Sequence, residues 1–163
     1  MQRPERAPDE LGTDRPTAAR VYDYFLGGSH NFAADRAMAD QLIAMVPDAP
    51  LIARANRSFL RRAVTYLLSQ GISQFLDIGS GIPTLGNVHE VAQGANPDAR
   101  VVYVDIDPVA VEHSRSLLAD NDRAAAIGCD LRKPDDLLAT PELHKVLDLD
   151  QRWRCCWRPC CIS

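Results

Sequence analysis

The sequence lacks the excess of basic residues that binding to nucleic acid or to an anionic membrane would require. Its 18 lysines and arginines are outnumbered by 22 aspartates and glutamates, which gives a formal net charge of −4. It also lacks an apolar run of membrane-spanning length, and its polar N-terminus has no apolar segment typical of a signal peptide. These absences predict a cytoplasmic protein with neither nucleic-acid nor membrane partners.

Cysteine is scarce in the body of the chain. Four of the five cysteines lie in the last nine residues, and only Cys129 precedes them. This distribution offers no disulfide framework and suits a reducing compartment. The terminal cysteines are adjacent in pairs, which places them poorly for binding one ion together, and no histidine supports them. We therefore expect no metal site.

The apolar pattern changes near residue 71 of this single domain. Residues 1–16 are polar and contain three prolines, which predicts a disordered arm. Helical periodicity over 17–70 predicts a helical cap, including a long helix whose apolar stripe contains Phe59. Strand-like runs and helical stretches then alternate over 71–150, which is typical of a parallel sheet. The predicted fold is α/β, with about three parallel strands behind a helical cap.

A glycine turn follows the first predicted strand, which ends at Ile78. In Gly79-Ser80-Gly81 the glycines allow positive φ and close approach of a ligand. Ligands of open α/β sheets bind outside the carboxyl ends of the strands, where this turn lies. Asp105 ends the next strand, 24 residues after Gly81. An acid near that offset can accept hydrogen bonds from both hydroxyls of a ribose, so the pattern predicts a nucleoside site.

The neighbouring residues narrow the class of nucleoside. A dinucleotide fingerprint needs glycine where this chain has Thr84, and Pro83 removes an N–H donor from the start of the following helix. Asp77, below the turn, would repel phosphate but suits an ammonium group. S-adenosylmethionine, with its ribose, adenine, ammonium and sulfonium, therefore fits better than NAD. Asp130 ends the third strand, where it can accept from the adenine amine, with the N–H of Leu131 for a ring nitrogen.

The sequence also resembles a known family. The resemblance rests on five blocks between about residues 16 and 150, which are "ARVYDYFLGGSHNFAADR", "ARANRSFLRRAV", "QFLDIGSGIPTLGNVHEVAQ", "ARVVYVDIDPV" and "DLRKPDDLLATPELHKVLDLD". Together they are similar to a bacterial family of class I S-adenosylmethionine-dependent methyltransferases, many of whose members have no assigned methyl acceptor. The resemblance implies a Rossmann-like fold, a small-molecule acceptor and a cap that folds over the cofactor.

The resemblance implies roles for individual residues. Arg54 would pair with the carboxylate of the cofactor, and Tyr22 would lie nearby. No catalytic residue is assigned, because displacement at a sulfonium carbon needs orientation and a dry pocket more than a proton shuttle. His30 and His89 are accordingly interpreted as structural. The expected cofactor-binding residues are Tyr22, Arg54, Asp77, Gly79, Ser80, Gly81, Asp105, Ile106, Asp130 and Leu131.

Simpler interpretations stand beside these roles. Asp77 can cap the following helix, Asp105 can be a solvated strand end, and Asp130 can form an Asx turn. Tyr22 can belong to the core, and Arg54 to a solvated helix face. For the whole protein, the alternatives are a non-catalytic nucleoside-binding or regulatory module and an NAD-dependent oxidoreductase.

Residues 151–163 do not continue the family pattern. That pattern has a buried apolar strand after "LDLD", whereas this chain has "QRWRCCWRPCCIS". Moving the reading frame by one base turns Trp-Arg into Ala and Cys-Cys into Leu, which restores a buried-strand pattern. We therefore predict a frameshift near Gln151 and an aberrant tail. The fourth strand would be lost, the first strand would become an unpaired edge, and the chain would be poorly stable and inactive.

Overall fold

Helices form the first part of the chain in the computed structural model, which describes residues 12–83 and 86–157. Thr17 begins the first helix by accepting a hydrogen bond from the N–H of Arg20, as its position before an apolar stretch predicts. The expectations for residues 1–11, for Thr84 and for residues 158–163 lie outside the described residues. The three helices are α1 (Ala18–Phe25), α2 (Ala33–Met45) and α3 (Ala49–Ser69).

Strands and helices alternate in the second part of the chain. The strands are all parallel and lie in the order β3-β2-β1-β4. This arrangement confirms the predicted α/β, Rossmann-like sheet behind a helical cap. The elements are β1 (Gln74–Ile78), α4 (Val88–Ala95), β2 (Arg100–Asp105), α5 (Pro108–Leu117), β3 (Ala124–Gly128), α6 (Pro134–Leu138), α7 (Pro141–Val146) and β4 (Arg154–Trp157).

Both faces of the sheet are packed. Successive side chains of a strand point to opposite faces, so Phe75 joins a cluster with Val64 of α3, while Leu76 joins another with Leu143 of α7. Because apolar side chains are needed on both sides, β1 and β2 read as nearly continuous apolar runs. Among the described residues, no helix is both long and apolar enough to cross a membrane.

A fourth strand is present, and the expectation that β1 is an unpaired edge is wrong. In β4, Cys155 pairs with Leu76 and Cys156 with Asp77. Parallel pairing uses backbone N–H and C=O groups, which every residue except proline supplies, so an unusual side-chain sequence can still form the strand. The frameshift itself stays a prediction.

The loop between α1 and α2 closes around a buried carboxylate. Oδ2 of Asp23 accepts hydrogen bonds from the N–H of His30 and from the side chain of Asn31, both at 2.9 Å. A Cβ atom on Gly28 would lie 2.0 Å from Oδ1 of Asp23. Position 28 therefore has no room for a side chain beside this carboxylate.

We expect Gly28→Ala to lower the free energy of unfolding by about 1–3 kcal/mol, because the added methyl group forces the Asp23 side chain out of place. Gly94→Ala is the matched control: it lies in α4, its Cβ would meet nothing within 4 Å, and alanine favours a helix by about 0.5–1 kcal/mol. Urea unfolding of both variants measures the two changes. Equal effects would contradict the steric account.

Candidate functional site

A cavity of about 500 Å³ lies between the carboxyl ends of β1 and β2 and the helices α1 and α3. Six of the ten residues expected to bind the cofactor line this cavity. The structure thus brings the glycine turn, the strand-end acid and the cap tyrosine to one place. The lining consists of Thr17, Ala18, Ala19, Tyr22, Asn56, Phe59, Leu60, Gly79, Ser80, Gly81, Asp105, Ile106, Asp107 and Pro108.

The turn after β1 depends on glycine. Gly79 and Gly81 have φ angles of +64° and +65°, in the left-handed region that other residues rarely adopt. The N–H groups of Gly79 and Ser80 donate to the carbonyl of Val104, at 2.8 and 3.1 Å, which fixes the turn against β2. A Cβ atom on Gly81 would meet nothing within 4 Å. Glycine at this position therefore relieves backbone strain and keeps the cavity wall open.

The carboxylate of Asp105 joins the turn to the end of β2. Its Oδ2 accepts the N–H of Gly81 at 2.6 Å, and its Oδ1 accepts the N–H of Asp107 at 2.9 Å. An ionised carboxylate has about four acceptor positions, so these two bonds leave capacity for hydroxyl donors in the cavity. Asp105 therefore has an architectural role that the sequence did not suggest, in addition to its position in the cavity wall.

A second carboxylate attaches the helical cap to the sheet. Asp107 caps α5 through the N–H of Val109 at 2.8 Å, and it also accepts a hydrogen bond from the hydroxyl of Thr17 at the start of α1. The guanidinium of Arg20 lies 3.9 Å from Asp107 and 3.1 Å from Asp35. All three charged residues are buried, so the pairs are shielded from solvent and hold α1 and α2 against the cavity.

Asp77 lies in β1, fully buried and outside the cavity lining. Its strand partner in β2 is Tyr103, two residues before Asp105. The alternative that Asp77 caps the following helix is not observed, since the N-cap of α4 is Asn87, whose N–H donates to Glu90. Asp77 is thus placed at the base of the turn, as expected, without facing the cavity directly.

Asp130 lies beside the cavity rather than in it, and Leu131 lines neither the cavity nor the depression next to it. Asp130 lines a neighbouring depression that shares Ile106 and Pro108 with the cavity. Its Oδ1 accepts the N–H of Arg132, which is the Asx turn considered as an alternative, and the Arg132 guanidinium also binds the carboxylate. These bonds lower the pKa of Asp130 to about 2. Asp130 is therefore an ionised acceptor held in a fixed position.

Arg54 does not reach the cavity. Its side chain is exposed and donates to the carbonyl of Pro50 in the preceding turn of α3, as in the solvated-face alternative. Arg57, three residues later, is instead 4% exposed and donates to Oδ1 of Asn87 at 3.2 Å. The buried face of α3 thus contains an arginine, which an apolar-stripe analysis assigns to solvent.

The cavity also contains residues that the sequence analysis missed. Phe59 was expected to face the core, but it is 65% exposed and lines the cavity, as Asn56 does. The apolar stripe did not distinguish a core side chain from one facing a ligand cavity. Thr17 carried a signal as a helix cap, but nothing in the sequence indicated that it also contacts Asp107. Within the described residues, no group of histidines, cysteines or acids is arranged to hold a metal.

His89 lies at the start of α4, behind the turn. Its backbone N–H donates to the hydroxyl of Tyr103 at 2.8 Å, and its Nδ1 lies 2.7 Å from the same oxygen. The hydroxyl can then donate its proton to Nδ1, which requires neutral imidazole. Burial lowers the pKa of His89, and the charge of Glu90 opposes this in part. These contacts are those of a histidine with a structural role.

We expect the free energy of unfolding to fall as the pH drops from about 7.5 to about 5.5. The pKa of His89 in the folded chain is below its usual 6.5. Between the folded and the unfolded pKa of His89, the unfolded chain therefore binds more protons. Acid accordingly favours the unfolded state. Burial, and then His30, also lower the pKa of His113, so His89→Gln should reduce this pH dependence without abolishing it. Urea unfolding at both pH values tests this, and an unchanged slope in His89→Gln would refute it.

A parallel α/β sheet with a glycine turn and an acid at the next strand end defines a nucleoside-binding class of protein. The chain belongs to the S-adenosyl methyltransferase family, whose model matches residues 4–154. No curated protein gave a significant match.

Two crystal structures are similar to this chain over most of its length. One is a protein of Thermobifida fusca YX assigned as a methyltransferase. It is 47% identical to this chain, has a TM-score of 0.88, and the match covers 93% of this chain and 57% of that one. The other is a DUF574 family protein of Streptomyces avermitilis MA-4680. It is 42% identical to this chain, has a TM-score of 0.84, and the match covers 89% of this chain and 56% of that one. The chain therefore spans just over half the length of these relatives.

Proposed function

We propose that this protein is an S-adenosylmethionine-dependent methyltransferase that acts on a small molecule in the cytoplasm. The observation that carries the proposal is the cavity in which the turn at Gly81 and the carboxylate of Asp105 meet Tyr22 of the cap. The family membership supports the reaction class, while the acceptor is part of the proposal.

The residues that line the cavity fit this cofactor. Its volume of about 500 Å³ is within the range usual for small-ligand sites. Asp105 and Asp107 line it, whereas none of its lining residues is a lysine or arginine. Such a wall favours a cationic nucleoside over the pyrophosphate of NAD, since the two carboxylates repel phosphate and no basic side chain of the lining offsets them. This excess of acidic residues supports S-adenosylmethionine over NAD, as the position of Asp77 did in the sequence. It therefore disfavours an NAD-dependent oxidoreductase.

The residues then divide the binding task. Asp105 accepts from the ribose hydroxyls, and the turn from Gly79 to Gly81 receives the methionine part. Ile106 lies between the cavity and the depression of Asp130, where Asp130 and Leu131 receive the adenine. When bound, the cofactor supplies a methyl group attached to a positively charged sulfur. That sulfur is an already activated leaving group. The protein contributes orientation and, through apolar residues such as Leu60, exclusion of water.

A second candidate function is a module that binds the cofactor without transferring its methyl group. The observation in its favour is that the chain spans just over half the length of its structural relatives. We also propose that the tail from Gln151 is a wrong-frame product and that the chain as written does not turn over. Sequencing the locus tests the tail: absence of an intact downstream reading frame that continues the family pattern would refute it.

We expect Asp105→Asn to weaken binding of S-adenosylmethionine by about 10- to 100-fold, as measured by isothermal titration calorimetry. The amide retains one acceptor oxygen, but it loses the charge, an acceptor for the ribose and the acceptor of either the Gly81 or the Asp107 N–H. Asp98→Asn is the matched control, because Asp98 is an exposed acid paired with Arg123 away from the cavity, and it should bind as the wild type does.

A parallel titration with NAD separates the alternatives. We expect NAD to bind more weakly than S-adenosylmethionine, because Asp105 and Asp107 in the cavity lining repel its pyrophosphate. Tighter binding of NAD than of S-adenosylmethionine, or equal affinity in Asp105→Asn and wild type, would overturn the proposal. Turnover of a methyl acceptor by the frame-restored protein would in turn exclude the binding-module alternative.

A further inference from the structure

An apolar groove of about 540 Å³ lies within the helical cap, between α1, α2 and α3. Its walls include Phe25 of α1, Leu42 of α2 and Ile52 of α3. None of its lining residues is charged. Apolar side chains remain in contact with solvent here: Val46 is 48% exposed and Ile52 is 47% exposed. A groove of this size and polarity has the characteristics of a small-molecule site.

The groove continues into the cavity described above. The two share Thr17, Ala18, Tyr22 and Asn56. These shared residues include every side chain of the groove that carries a polar atom able to donate a hydrogen bond, while the rest of its lining is apolar. The hydroxyl of Tyr22 donates to the carbonyl of Ala53 at 3.0 Å, which holds this side chain at the junction. The polarity of the groove is therefore concentrated at the end nearest the cavity.

We propose that this groove binds the methyl acceptor, and that the acceptor is an uncharged small molecule with an apolar body and one polar, nucleophilic end. The inference rests on the proposed function, which it deepens by naming the acceptor class. The apolar body lies among Leu42, Val46 and Ile52, where a charge would be left without a partner. The polar end lies at the junction, beside Thr17 and Asn56 and next to the cavity of the cofactor.

The position of the polar end matches the demands of the reaction. In the transfer, a lone pair of the acceptor forms the new bond to the methyl carbon while the carbon–sulfur electron pair returns to sulfur. A proton on an acceptor hydroxyl or amine is then released to water. The acceptor atom must therefore face the cofactor, and only the junction end of the groove does so. The concave shape also suits a small molecule better than the flat surface of a second copy.

Fluorescence titration of 2-naphthol, a neutral molecule with an apolar body and a nucleophilic hydroxyl, tests the proposal on the full chain. Ile52→Asp places a charge on the groove wall and should weaken naphthol binding by about tenfold or more. Leu51→Asp is the matched control, since Leu51 is the preceding residue of the same helix, is 63% exposed and does not line the groove. The Leu51→Asp variant should bind naphthol as the wild type does. The charged analogue naphthalene-2-sulfonate should bind more weakly than naphthol to the wild type and to both variants.

Titration of the same proteins with S-adenosylmethionine separates failure of this inference from failure of the proposed function. Cofactor binding with no naphthol binding, or with equal loss in Ile52→Asp and Leu51→Asp, overturns the groove assignment alone. Displacement of naphthol by the cofactor also overturns it, because the probe would then occupy the cofactor cavity. Loss of a dimer in Ile52→Asp, seen by sedimentation, would identify a second copy as the occupant. Absence of cofactor binding in the wild type would refute the proposed function itself.

Discussion

The hydrogen bonds to Asp107, directly after β2, connect the sheet to the helical cap. This buried side chain caps α5 and accepts the hydroxyl of Thr17, so the start of α1 is fixed to the carboxyl end of β2. Arg20 balances part of the negative charge and links it to Asp35, whose carboxylate also accepts the N–H of Phe32 at 2.8 Å. This junction fixes the start of α1 over the strand ends, where α1 forms one wall of the cavity.

The same region supports the proposed preference for a cationic ligand. Asp105 and Asp107 line the cavity and Asp77 is buried at the base of the turn. Arg20, which lies near Asp107 and pairs with Asp35, does not line the cavity, and Arg54 faces solvent. A local excess of carboxylates is unfavourable in the empty protein and becomes favourable when a sulfonium or ammonium ion enters. In the proposed function, this charge pattern is the source of selectivity against phosphate-containing nucleosides.

The predictable features of the fold have local signals. β1 and β2 could be predicted because burial on both faces produces continuous apolar runs, and the turn because two glycines separate a strand from a helix. Helix α6 begins at Pro134 and is only five residues long, too short for a periodic pattern to show. Strand β4 was missed because its pairing depends on backbone groups, and its side chains give no apolar alternation.

The site was less predictable than the fold for a physical reason. Strand order places Asp105 beside Gly81, so a spacing rule could find both. Phe59 and Arg57 lie on one helix, however, and their environments depend on which face of α3 meets the sheet. Arg57 is buried and Phe59 is exposed, the reverse of what their polarity suggests. Such a reversal can be recognised only once the tertiary packing of the helix is known.

The most direct test of the central claim is a crystal structure of this chain with S-adenosylhomocysteine, the product form of the cofactor. Our account predicts that the ribose hydroxyls lie within hydrogen-bond distance of the Asp105 carboxylate, with the amino-acid part at the turn containing Gly79 and Gly81. A ligand bound away from the ends of β1 and β2, or with its ribose out of reach of Asp105, would contradict the account.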